Sequence, residues 1–468
     1  VAYAQLGGMP LLVITGQKPI RRSKQGRFQI IDAVRMMEPL TKWATTIVSG
    51  DRVASMVRQA VKLAEGERPG VVHLELPEDI AAEEVTTMPI LPQKIRRPGP
   101  DPKAVIAVIQ ALQKATSPLI VIGSGANRKL VRKHLRTFIE KTGIPFITTQ
   151  MGKGVEDERS DLYLGTTALS AGDFMHRAFE SADLILMIGH DITEKPPLVW
   201  DEKKNLSIVH INFYEANIDE VYVPSLEVIG DIAHTLWAMG DQITKQPTWD
   251  FRSFFTIRDA LRAHIATSAS LTSFPVRPER LVSDLRSVLP PEGIVSLDNG
   301  MYKIWMARNY PAYEQNTVLL DNALATMGAG LPAGIAAKML YPDRPVVVVA
   351  GDGGIMMNIS ELETAVRLGL DLVVLILNDR GYGMIQWKQA EMKLPAFGLT
   401  FANPDFVTLA QSFGAIGHRI ASAEALVPTL QQALQQKGVH LIDCPIDYRE
   451  NGPMLGDKLK EEVKKIQF

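Results

Sequence analysis

The chain's 468 residues are too many for one ordinary hydrophobic core and suit two or three α/β domains. Apolar residues at 46% and charged residues at 22% exclude a disordered chain, and a net charge of -2 lacks the basic excess with which nucleic-acid binders neutralise phosphates. A single cysteine, Cys444, excludes a disulfide framework and any multi-cysteine metal centre. No apolar run reaches the roughly 18–20 residues that cross a bilayer, so the expected setting is the cytoplasm, with neither membrane nor nucleic acid as partner.

The chain opens Val1-Ala2-Tyr3-Ala4, and residues 1–9 read as the end of a helix feeding a strand at 11–15. This suggests a domain entered in its middle, so an N-terminally incomplete chain is the expectation. The basic run Arg21-Arg22-Ser23-Lys24 reads as a solvated loop. A helix over 52–63 carries Val53, Met56, Val57, Ala60 and Val61 on one face, and the next strand covers 70–77. The prolines between Met88 and Pro100 forbid both helix and central strand, which makes this stretch a linker.

A second unit over 101–241 has strands at 118–122, 145–148, 184–188 and 208–212, separated by helical patterns. Gly123-Ser124-Gly125 after the first of these could cradle a phosphate, but a lone Gly-x-Gly is more often a tight turn. Residues 242–275 read as a polar, helical connector. A third unit over 276–450 has strands at 294–296, 318–320, 346–350, 372–377 and 439–443, and 451–468 read as a charged helical tail. The fold class is therefore α/β: three domains, each with a mostly parallel sheet flanked by helices.

The chemistry concentrates between Gly351 and Met384. The run Val346-Val347-Val348-Val349-Ala350 ends in Gly351-Asp352-Gly353-Gly354, which places a carboxylate and close-approaching backbone at the carboxyl edge of a parallel sheet. A helix over 359–368 and a strand over 372–377 follow, ending in Asn378-Asp379-Arg380-Gly381. Two adjacent strands thus deliver acids to one edge, a donor set suited to Mg²⁺ or Ca²⁺ bridging a diphosphate. Alone, Asp352 could be a helix cap and Asn378–Gly381 a turn.

This segment resembles the signature of thiamine-diphosphate enzymes, and the chain resembles acetolactate synthases along its whole length. Leu12 to Gln17, Phe28-Gln29, Pro39 to Trp43 and Arg68 to Pro77 are similar to the second half of their pyrimidine-binding domain, so 1–95 would be the C-terminal part of that domain. On the same resemblance 101–241 would be the central Rossmann-like domain and 276–450 the diphosphate-binding domain, through Thr326-Met327-Gly328, Glu361 to Arg367 and Ser412 to Ala415.

The resemblance implies thiamine diphosphate and Mg²⁺ as cofactors, with Asp352, Asp379 and the Gly381 carbonyl on the metal. Gly353, Gly354, Gly300, Met301 and Tyr302 would line the diphosphate. Met327 would hold the cofactor bent, the Ala325 carbonyl would accept from its 4′-amino group, and Tyr382, Gly383 and Met384 would flank the thiazolium and substrate. Catalytic roles are implied for Gln29 and Met384. The family's activating glutamate is expected upstream of Val1, since neither Glu38 nor Glu75 occupies its place, so the chain as given would lack it. The implied reaction condenses two pyruvates to 2-acetolactate with release of CO₂, in a homodimer or homotetramer.

Two alternatives within enzymes are the FAD-containing acetohydroxyacid synthase and another 2-oxo acid decarboxylase or carboligase. The Phe-Asp-Asp-Arg-like run of the FAD type is absent after Gly189-His190-Asp191, and Pro445 to Asn451 is closer to the flavin-free catabolic type, so FAD is not expected. Lys388 stands where the catabolic type has glutamine, which leaves the acceptor open. The alternative from a different class is a non-catalytic, cofactor-binding scaffold.

Overall fold

The computed structural model describes every residue except 22–25, 93–95, 168, 170–171, 192, 195–205, 219–221, 269 and 468. Parts of three stretches singled out in the sequence, namely the basic run, the proline linker and the run after Gly189, therefore lie outside the described residues. The chain divides into two compact units, Val1–Pro98 and Gly99–Phe468.

The first unit holds a parallel sheet of three strands, β1 (Leu11–Gln17), β2 (Trp43–Thr46) and β3 (Val71–Pro77), in the order β1-β3-β2. The helix Val53–Glu65 packs its Ala60 and Ala64 stripe onto Val72 and Leu74 of the central strand. Met88 and Leu91, in the proline-rich stretch that closes the unit, are exposed and belong to no helix or strand, as prolines at this spacing require.

The second unit carries two six-stranded parallel sheets. One comprises β4 (Pro118–Ile122), β5 (Phe146–Thr148), β6 (Tyr163–Thr166), β7 (Leu184–Ile188), β8 (Ser207–Asn212) and β9 (Leu226–Ile229), ordered β6-β5-β4-β7-β8-β9. The other comprises β10 (Ile294–Leu297), β11 (Val318–Leu320), β12 (Val346–Gly351), β13 (Leu372–Asn378), β14 (Ile416–Arg419) and β15 (Val439–Pro445), ordered β11-β10-β12-β13-β15-β14. In β12, Val347 and Val349 join one core while Val346, Val348 and Ala350 join another on the opposite face. Burial on both faces is why this strand is continuous valine and does not alternate.

Two segments depart from expectation. The stretch 242–275 is not a polar connector: its helix Arg252–Ser268 buries Phe254, Ile257 and Leu261, with Trp249 and Phe251 ahead of it, in the core of the β4–β9 sheet. Its charges lie on the other face, so composition alone hid an amphipathic helix. The charged terminal stretch likewise folds back as the helices Asn451–Leu455 and Asp457–Lys464, and Leu459 and Val463 enter the same core.

The glycine pair after β4 serves packing. The Gly125 amide donates to the Gly189 carbonyl at 2.8 Å, and a Cβ on Gly123 would sit 2.6 Å from that same oxygen. The turn after β4 therefore presses against the turn after β7. Beside it Glu194 is buried, accepts from Thr149 Oγ1 at 2.6 Å and lies 3.9 Å from His190 Nδ1, with Asp191 adding like charge. Burial pushes its carboxyl up to about 8. An acid raised in the fold contributes its full share of stability below pH 4.5, the ordinary value, and loses it as pH climbs through about 8. Urea unfolding between pH 5 and 8 should therefore show Glu194→Gln gaining on the parent by a few kcal/mol as pH rises. A difference that is flat with pH would mean the carboxyl is not held neutral.

Candidate active site

The β11-β10-β12 order reverses the winding direction between β10 and β12, and ligands of open parallel sheets bind in the crevice above such a reversal. Each strand there ends in an acid: Asp298 after β10, Asp352 after β12 and Asp379 after β13. Parallel pairing runs out at Gly351 opposite Leu377, which brings Asp352 and Asp379 to one edge. Above them a cleft is lined by Gly300, Met301, Tyr302, Met327, Gly353, Gly354, Gly381, Tyr382, Gly383 and Met384, with Tyr448 at its wall.

Asp352 is 1% exposed, and both its oxygens are occupied. Oδ1 accepts from the Gly353 amide at 2.8 Å, while Oδ2 accepts from the Arg380 amide and from Asn403 Nδ2, each at 2.7 Å. It is not a cap of the short helix Asp352–Ile355, whose N-cap is Gly351; it ties the tip of β12 to the loop after β13. Burial, and then the Asp352 carboxylate beside it, push Asp379 up to about 7. Among the described residues, those lining the cleft include no lysine or arginine to offset the negative charge of this pair. Asn378, the neighbouring candidate by position, turns away: its amide donates to Asp443 at 2.8 Å and its oxygen accepts from Asn403 at 3.0 Å.

The helix Glu361–Arg367 starts two residues later than the periodicity suggests, because 356–360 form turns that close on Asn358. Asn358 Nδ2 donates to the Gly328 carbonyl at 2.7 Å, and the Gly328 amide donates to both Asp298 oxygens at 2.9 Å. Burial raises the Asp298 carboxyl against these donors, which favour its charged form. Asp321 accepts from the amides of Leu324 and Thr326, at 3.0 and 2.8 Å, and Lys303 Nζ donates to the Asp321 carbonyl at 2.6 Å. These bonds hold a loop whose Ala325 has φ +52° and whose Met327 is half-buried against the cleft.

The glycines are needed for closeness: a Cβ on Gly353 would sit 2.7 Å from the Tyr382 ring. Ala325 does not line the cleft, but it stands two residues before Met327 on the same pinned loop. Gln29 belongs to the first unit, exposed and at φ +57°, and is not among the cleft residues. Glu75 is committed within its own sheet, accepting from Gln17 at 3.0 Å and Thr46 at 2.7 Å. The sequence reading missed Asp298, Asp321, Asn358, Asn403 and Tyr448. Of these, Asp298 was detectable, since Val295-Ser296-Leu297-Asp298-Asn299-Gly300 repeats the strand–Asp–Gly form of the stronger motif.

Paired carboxylates, small residues around them and a pinned apolar loop thus meet in one cleft, a set of groups that could hold a metal-bound diphosphate. Two family models match the chain. Residues 105–239 match the central domain of thiamine pyrophosphate enzymes, and residues 298–444 match their C-terminal, thiamine-pyrophosphate-binding domain. Acetolactate synthase from Bacillus subtilis (strain 168) is 30% identical over 468 residues, covering 99% of this chain and 82% of that protein. Catabolic acetolactate synthase from Raoultella terrigena is 30% identical over 463 residues, covering 97% and 82%. A probable acetolactate synthase large subunit from Methanocaldococcus jannaschii is 28% identical over 498 residues, covering 100% and 82%. The fold and site are those of a thiamine pyrophosphate enzyme. Within that class, the chain belongs to the acetolactate synthase family.

Proposed function

We propose that this protein condenses two pyruvates to 2-acetolactate with release of CO₂, using thiamine diphosphate and Mg²⁺ and no FAD, as a cytoplasmic homodimer or homotetramer. The observation that carries the reading is the Asp352–Asp379 pair at the foot of a cleft without basic lining, beneath Met327. A divalent cation there would replace the mutual repulsion of two carboxylates with attraction, so the residues fit the group.

On this reading Asp352, Asp379 and the Gly381 carbonyl hold the metal. Gly353, Gly354, Gly300, Met301 and Tyr302 surround the diphosphate, and the Met327 loop sets the ring angle while the Ala325 carbonyl receives an amino group. Tyr382, Gly383 and Met384 border the substrate, with Gln29 as a further catalytic residue. When bound, the thiazolium supplies the electron sink that lets pyruvate lose CO₂ and its two-carbon remainder join an acceptor. The chain's own share is to bind, orient and exclude water.

The test is product analysis after pyruvate is given to the full-length holoenzyme. Acetolactate and CO₂ in equal amounts support the reading, whereas acetaldehyde alone, or no turnover, sinks it. Asn403 offers a finer check, since its amide bridges Asp352 and Asn378. Groups that orient a metal ligand typically contribute 10–100-fold to metal affinity, so Asn403→Ala should raise Mg²⁺ half-saturation by about that much in a fluorescence titration at fixed cofactor. An unchanged midpoint would mean that Asp352 is held by the backbone amides alone.

A further inference from the structure

Tyr448 follows β15, beyond the bridge that joins Ile446 to Val276, and lines the cleft beside Asp379. Its hydroxyl oxygen is buried and finds no hydrogen-bond partner among the described residues. Its ring stands beside Gly383 and Asp379: a Cβ added at Gly383 would lie 3.6 Å from Tyr448 Cδ2 and 2.8 Å from Asp379 Oδ2. Tyr302, on the same wall, has its oxygen satisfied by the Gly351 amide at 3.0 Å. The two phenols thus differ: the Tyr302 oxygen accepts a hydrogen bond, whereas the Tyr448 hydroxyl makes none among the described residues. A buried, unpartnered hydroxyl loses stability that a ligand oxygen would restore, and a hydrogen bond to an anion is the stronger kind.

We propose that Tyr448 is a diphosphate-binding residue, its hydroxyl donating to a phosphate oxygen of the cofactor in this cleft. The assignment rests on the cofactor reading above, and nothing in the sequence pattern around Gly351–Met384 contains it. Tyr448→Phe keeps the ring and removes one unpartnered polar atom, so the apo variant should melt at or above the parent's temperature. Calorimetric titration with thiamine diphosphate and, separately, with inorganic diphosphate, both in Mg²⁺, should show both dissociation constants raised about tenfold. At saturating cofactor, Mg²⁺ half-saturation should change little.

Equal affinities in parent and variant would overturn the assignment. A rise in Mg²⁺ half-saturation alone would also overturn it, by placing the hydroxyl on Asp379 and not on phosphate. Failure of the parent protein to bind thiamine diphosphate would instead sink the functional reading itself, so the two failures are distinguishable.

Discussion

Asp352→Asn is expected to lower both cofactor-dependent activity and stability, with activity falling by more than about 100-fold, since losing a metal ligand should cost more than losing a group that merely orients one. An amide is nearly isosteric with the carboxylate, so tolerance might be assumed. The hydrogen bonds forbid it. Donors approach both oxygens, the Gly353 amide on one and the Arg380 amide with Asn403 on the other. Whichever way an asparagine is turned, its NH₂ faces a donor, which leaves buried groups unpaired at about 1–3 kcal/mol each.

Asp379→Asn provides the contrast. Burial and the neighbouring carboxylate already disfavour charge at Asp379, so removing that charge should leave the metal-free protein as stable as the parent or more so, while Mg²⁺ binding falls as steeply. Urea unfolding without metal, set beside the rate of acetolactate formation, separates the two variants. Equal stability losses would show that Asp352 is not the organiser of this edge.

What could be read in the sequence follows from burial. Central strands such as β4, β7, β12 and β13 are wholly apolar because both faces are covered, and their positions are plain in the chain. The four strands absent from the sequence reading, β2, β6, β9 and β14, all lie at sheet edges. There one side meets solvent and residues such as Thr45, Thr46, His418 and Arg419 are tolerated, so no apolar run marks them. The candidate site divides the same way. Asp352 and Asp379 belong to a continuous strand–turn–helix pattern and stand out, whereas Asn403 reaches Asp352 across 51 residues of sequence and Tyr448 reaches the cleft from the strand after next. Partners brought together by folding leave no local spacing to read. The amphipathic helix at 252–268 was misjudged for a related reason: a segment rich in charge can still own one apolar face.

Glu158→Ala should destabilise the protein by about 3–5 kcal/mol, the cost of stranding one half of a buried ion pair. Lys153 Nζ lies 2.8 Å from Glu158 Oε2, and the two side chains are 1% and 0% exposed. The ammonium's other partner is Thr166 Oγ1 at 3.2 Å, so without Glu158 it keeps a charge that one hydroxyl cannot compensate. Lys153→Met should cost less, because the carboxylate retains the Ala312 amide at 2.8 Å. The double variant Lys153→Met/Glu158→Gln removes both charges and should recover most of the stability lost in Glu158→Gln alone, giving a strongly non-additive cycle with the two single variants.

The pair matters to the site through the chain it anchors. Ala312 both donates to the Glu158 carboxylate and accepts from the Glu158 amide at 3.2 Å, just beyond the helix Tyr302–Asn309, whose first residue lines the cleft. Loosening this join frees the far end of the helix that carries Tyr302, so Glu158→Ala should weaken thiamine diphosphate binding even at temperatures where the protein remains folded. Full cofactor affinity in a folded but destabilised Glu158→Ala protein would show that Tyr302 and its neighbours are held from the sheet side alone.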